Sequence, residues 1–124
     1  MSSFISLEEA IKMTTDYRDH RESILQAAYQ GKNILCISET FEKSQVETVM
    51  NQSGCVGLRV YYGMDAELRV HAIIVGVDEK NQDITGGIFA KNAVNTATTT
   101  DTGSFLENGQ RCPEECPPSS PLNP

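Results

Sequence analysis

The sequence predicts an α+β fold. It expects a long N-terminal helix and a short second helix packed on a small, mainly antiparallel sheet centred on a hairpin (56–77), with an irregular C-terminal tail. Three observations carry this. Two capping boxes, Ser6-Leu7-Glu8-Glu9 and Ser44-Gln45-Val46-Glu47, each open a stretch with apolar residues at helical spacing. Residues 56–77 alternate in polarity and are interrupted once, at Gly63-Met64-Asp65-Ala66-Glu67, as two strands and a turn would be. From 92 onward no apolar period survives.

The first helix should run over about 7–30, with Ser6 as N-cap and Glu9 at the third helical position. Leu7, Ala10, Ile11, Thr14, Tyr17, Ile24, Leu25 and Ala28 recur at helical spacing, and Gly31 suits the residue after the helix. The charged run 16–22 interrupts the stripe and makes Asp19-His20 a candidate break. Residues 33–38 carry a short apolar run, read as a strand in preference to the buried end of a loop. A second helix starts at the Ser44 box, with Val46, Val49 and Met50 inward, and stops at Ser53-Gly54.

With 63–67 as its loop, the hairpin would pair Tyr62 with Leu68, Val60 with Val70 and Leu58 with Ala72. The other face would carry Tyr61 opposite Arg69 and Arg59 opposite His71. An even-numbered register slip would keep these faces. Ile73, Val75 and Val77 add to a strand apolar on both sides, either a central strand or a dimer contact. Asp78-Glu79-Lys80-Asn81-Gln82-Asp83 is a polar turn, and it lacks the Gly and terminal Glu of a calcium loop. Gly86-Gly87 reads as a joint, and Ile84 and Ile88-Phe89 are candidates to begin another short element after the polar turn.

The 124 residues divide into a domain over 1–91 and a tail over 92–124, whose Thr/Asn-rich part should be flexible and whose Cys/Pro-rich end should be extended. The net charge of −7 argues against nucleic-acid binding. No apolar run is long enough for a membrane span. The N-terminus shows no signal-peptide pattern, so a cytoplasmic location is the expectation, with the four cysteines as thiols. Cys36 and Cys55 read as small buried hydrophobes. Cys112 and Cys116 read as a pair of tail thiols or a local disulfide. The two glutamates between them disfavour a reactive thiolate, and zinc would need His20, His71, Cys36 or Cys55 to converge on them.

Arg59, Tyr61, Arg69 and His71 form the candidate ligand site. Two guanidiniums, a phenol and an imidazole on one hairpin face can hold a carboxylate or phosphate. The plainer reading is a solvated face whose arginines pair with Asp16, Asp19 or Glu22 of the first helix. No catalytic motif, metal site or cofactor is indicated.

Gly54-Cys55-Val56-Gly57-Leu58-Arg59-Val60-Tyr61-Tyr62-Gly63, then Ile74-Val75-Gly76-Val77-Asp78 and the Cys-Pro tail, resemble small uncharacterised bacterial proteins of the Bacteroidetes type that end in a Cys-Pro-rich tail. That resemblance implies a bacterial origin and supplies no activity. The expected function is a non-enzymatic binding or interaction module, a homo-oligomer through the apolar strand 68–77 or a binder of a protein partner. The alternative is a small enzyme or anionic-ligand binder at the basic and aromatic patch.

Overall fold

A computed structural model describes residues 3–85, 105–107 and 109–124. The chain is α+β. Its order is α1 (Leu7–His20), a 3-10 turn (Ala27–Tyr29), β1 (Ser38–Thr40), α2 (Lys43–Met50), β2 (Gly57–Met64), β3 (Val70–Val77), β4 (Phe105–Leu106) and β5 (Gln110–Cys112). One antiparallel sheet runs β2-β3-β4, and a two-stranded one joins β1 to β5. The expected calls over 86–104, including the Gly86-Gly87 joint, the Ile88-Phe89 element and the Thr-rich segment, lie outside the described residues.

Helix α1 begins as its sequence dictates, with Glu9 N donating to Ser6 Oγ at 3.1 Å. It stops at His20, ten residues short of the expected end near Gln30. Local polar groups take over there. Ser23 Oγ donates to the His20 carbonyl, Arg21 turns inward to the Leu35 carbonyl at 2.5 Å, and Glu22 accepts the Gly31 N–H at 2.6 Å. The charged run has no apolar face to bury, so nothing offsets these competing bonds. Tyr17 Oη, donating to the Cys36 carbonyl at 2.6 Å, fastens α1 to the segment before β1.

That segment is the buried end of a loop, and the strand itself comes later, at Ser38–Thr40. Ile34 is buried within the loop and its carbonyl accepts from Val70 N at 2.7 Å. The second helix starts one residue before its expected box. Glu42 is its N-cap and makes no side-chain bond, while Ser44 lies inside the helix. Val49 is buried but Met50 is exposed, because the short helix presents only a narrow stripe inward. Gly76 lets α2 approach β3: a Cβ there would lie 3.0 Å from Cys55 Sγ and Gln52 Oε1 and 3.4 Å from the Val49 carbonyl.

The hairpin forms, four positions out of the expected register. Arg59 faces Val75, Tyr61 faces Ile73 and Gly63 faces His71. The cause is the loop. Asp65 Oδ1 accepts the N–H groups of Glu67 and Arg69 at 2.9 and 3.0 Å, and Asp65 N donates to the Arg69 carbonyl at 3.0 Å. The side-chain acceptor gathers a compact turn. Leu68 is pulled out of any strand pairing into a left-handed backbone, φ 68°. Because the slip is even, the faces survive: Arg59, Tyr61 and His71 share one, and Leu58, Val60, Tyr62 and Met64 the other.

Strand β3 is central, flanked by β2 and β4, and it is buried from Ile74 to Val77. Ile74, Val75 and Val77 form the core with Val49, Ile34 and Cys112. The tail therefore reaches the interior. Ser38 pairs with Cys112 and Glu39 with Arg111, and both tail residues are buried. Beyond them the chain is irregular and lies along α1, where Arg18 Nη1 donates to the Leu122 carbonyl at 2.7 Å.

Candidate functional site

The four predicted patch residues fall into two clusters. At one end of the sheet, Arg59 Nη1 and Tyr61 Oη both donate to the Asp83 carboxylate, and Arg59 Nη2 donates to Asn81 Oδ1 at 2.6 Å. The polar turn folds back to bring them there: Asp78 Oδ1 accepts the N–H groups of Lys80 and Gln82, both at 2.9 Å, and Asn81 adopts φ 65°. The Tyr61 hydroxyl, then the Arg59 guanidinium, hold the Asp83 carboxyl below its ordinary range, while Asp83 pushes the Tyr61 phenol up. Asp78, Asn81 and Asp83 thus serve the turn and its arginine.

The second cluster surrounds the hairpin loop. Asp65 Oδ2 lies 2.7 Å from His71 Nε2 and 3.0 Å from Arg69 Nε, and Arg69 Nη2 contacts Glu67 Oε1 at 3.2 Å. The His71 hydrogen bond, aided by the N–H groups of Arg69 and Glu67, drives the Asp65 carboxyl well below the usual carboxylate range. His71 Nδ1 is buried without a hydrogen bond among the described residues, 3.6 Å from Glu107 Oε2.

Arg59 and His71 are therefore not cross-strand neighbours. Their rows lie four ladder positions apart, a span of roughly 13 Å at about 3.3 Å per residue. Arg69 lies in the loop, outside the strand, and does not oppose Tyr61. The arginines do have carboxylate partners, but from the two turns. Asp16 of α1 instead pairs with Lys12 at 2.8 Å, and Glu22 with Arg21 at 3.2 Å.

Cys112 and Cys116 form a disulfide, so the local bridge stands in place of two thiols. Cys36 and Cys55 are free and only partly buried. Burial still pushes the Cys36 thiol up, as expected of an unreactive cysteine.

Two residues that the sequence reading passed over hold the tail in place. Arg111 is buried, with Nε donating to the Val70 carbonyl at 3.1 Å and Nη2 to those of Asn33 and Ile34 at 2.9 and 3.2 Å. Glu39 Oε1 accepts the Ala72 N–H at 2.6 Å, tying β1 to β3. One sign was readable: Arg111 is the sole basic residue after Lys91.

No protein family, no curated protein and no solved structure matches the chain. Among the described residues no helix is long and apolar enough to cross a membrane.

Proposed function

We propose that this protein is an interaction module that pairs with a second copy of itself through the edge of β2, which no strand among the described residues covers. The observation that carries the reading is the character of that edge. Leu58, Val60, Tyr62 and Met64 project from one face and are 43, 46, 77 and 62% exposed. The Asp65–Arg69 backbone bond sets the ladder's alternation. By that alternation the same four residues turn their N–H and C=O groups outward. Edge strands of soluble proteins are usually blunted by lysine, proline or a bulge. The single charge on β2 is Arg59, on the opposite face and engaged with Asp83.

A second copy fits best. Antiparallel β2–β2 pairing about a two-fold axis joins the two three-stranded sheets into one. Each chain carries −7, which repels a like copy, but β2 itself holds no acidic residue. The apolar contact expected of strand 68–77 moves to its neighbour, since β3 already has strands on both sides. The anionic-ligand reading at the hairpin patch is weaker, because Arg59, Tyr61, Arg69 and His71 all meet acidic side chains of this chain.

The kinship with Cys-Pro-tailed bacterial proteins also stands as a proposal. A cytoplasmic location fits poorly with a lasting disulfide, which belongs to oxidising compartments.

Light scattering at micromolar concentration tests the reading. The wild type should run as a dimer and Val60→Lys as a folded monomer. A monomeric wild type overturns it, and so does a dimer that Val60→Lys leaves intact. A monomer that instead captures an added extended peptide along β2 transfers the edge to a different partner.

A further inference from the structure

A second feature, independent of the β2 edge, lies where the tail crosses the hairpin. A cavity of about 200 Å³ opens there, lined by Asn33, Arg69, His71, Arg111, Glu114 and Glu115 among others. It is smaller than the roughly 300–1,000 Å³ of drug-sized sites and matches a small metabolite.

Its charges are the informative part. Arg111 is buried, yet no carboxylate lies within ion-pair distance of it among the described residues; its guanidinium is held by three backbone carbonyls and neighbours the Cys36 thiol. A guanidinium buried without a counter-charge is costly. Val70, whose carbonyl takes the Arg111 Nε, sits between Arg69 and His71 in sequence, and all three of Arg69, His71 and Arg111 line the cavity. Arg69 is only partly neutralised, since its Nη1 has no described partner beyond the Asp65 and Glu67 contacts at Nε and Nη2.

The other part of the lining is acidic. Glu114 and Glu115 stand on the short loop closed by the Cys112–Cys116 disulfide, and Glu115 N donates to the Arg111 carbonyl at 2.8 Å. Neither glutamate side chain has a partner among the described residues. A plain anion would meet Arg111 but be repelled by two carboxylates. A plain cation would meet the reverse. A molecule carrying both charges a few bonds apart satisfies both.

We propose that this cavity binds a small zwitterion, an α-amino acid with a short side chain, its carboxylate toward Arg111 and Arg69 and its ammonium toward Glu114 and Glu115. The lining offers little apolar surface, so a large hydrophobic side chain gains nothing there.

Titration calorimetry of the full chain with glycine, L-alanine, acetate and ethylammonium chloride tests this. Glycine and L-alanine should bind saturably with Kd of about 1 mM or tighter, near −4 kcal/mol. Acetate and ethylammonium should bind at least about tenfold more weakly, a gap of about 1.4 kcal/mol. Arg69→Gln and the double variant Glu114→Gln/Glu115→Gln change exposed or half-exposed groups, and each should weaken L-alanine by about tenfold or more. The Arg111 side chain is left alone because it also holds the fold. Three results overturn the proposal: no saturable amino-acid binding by the wild type, acetate binding as tightly as L-alanine, or L-alanine affinity unchanged in the glutamate variant.

Discussion

Asp65 and His71 lie six residues apart in sequence, and Oδ2 of the first is 2.7 Å from Nε2 of the second. One carboxylate thus answers the imidazole, Arg69, and two loop N–H groups together. The consequence for stability has a definite sign. Asp65 has a folded-state pKa below its ordinary value of 3.8. Its contribution is therefore fully present above that value and is lost as the pH falls through the depressed one. Urea unfolding across a pH series should show a gap between wild type and Asp65→Asn that is widest near neutrality and closes in strong acid. A gap of constant size would place the role of Asp65 elsewhere.

Val75 is fully buried on the central strand, whereas Val56 is exposed just before β2. Val75→Ala should cost about 2 kcal/mol through lost contacts and a residual cavity. Val56→Ala should stay within about 0.5 kcal/mol of wild type. Chemical denaturation of the pair would show whether the core is centred on β3.

Gly76 and Gly57 stand opposite ends of the same argument. Gly76→Val drives a branched side chain against Cys55, Gln52 and the Val49 carbonyl, and should cost about 2 kcal/mol or more. A Cβ at Gly57 meets nothing within 4 Å, so Gly57→Val should be nearly neutral. Equal melting-temperature losses would mean that α2 does not rest on β3 at Gly76.

The unreduced, denatured chain should give two titratable thiols, Cys36 and Cys55, and the reduced chain four. Losing the bridge over so short a loop should cost about 2 kcal/mol in either Cys112→Ser or Cys116→Ser. Cys112→Ser should lose about 1–3 kcal/mol more, since it also sets a hydroxyl among core side chains. Four thiols without reductant would remove the bridge from the fold.

Much of the architecture was legible because it depends on local pattern. The Ser6 cap, the α-β-α-β-β order and the alternation that divides Arg59 from Val60 follow from spacing alone. The register was not, since alternation with period two cannot distinguish pairings four residues apart, and the choice fell to one side chain, Asp65. That slip split the basic patch in two. Strand β5 was hidden for a different reason. Three residues, Gln110–Cys112, carry no periodic signal, and their partner β1 lies some seventy positions earlier. The Arg111 cavity depends on that long-range pairing, so no reading of neighbours in sequence would assemble it.

The hydrogen bonds of Arg111 also fix an order of events during synthesis. Its guanidinium joins carbonyls at Asn33 and Ile34 to that of Val70, contacts spanning up to 78 positions. Until that residue emerges from the ribosome, Ile34 and the hairpin lack the piece that holds them together. A nascent chain can cap α1 and zip β2 onto β3 early, but it cannot close its core. Residues 110–112, made some seventy positions after the β1 strand they pair with, supply that closing piece.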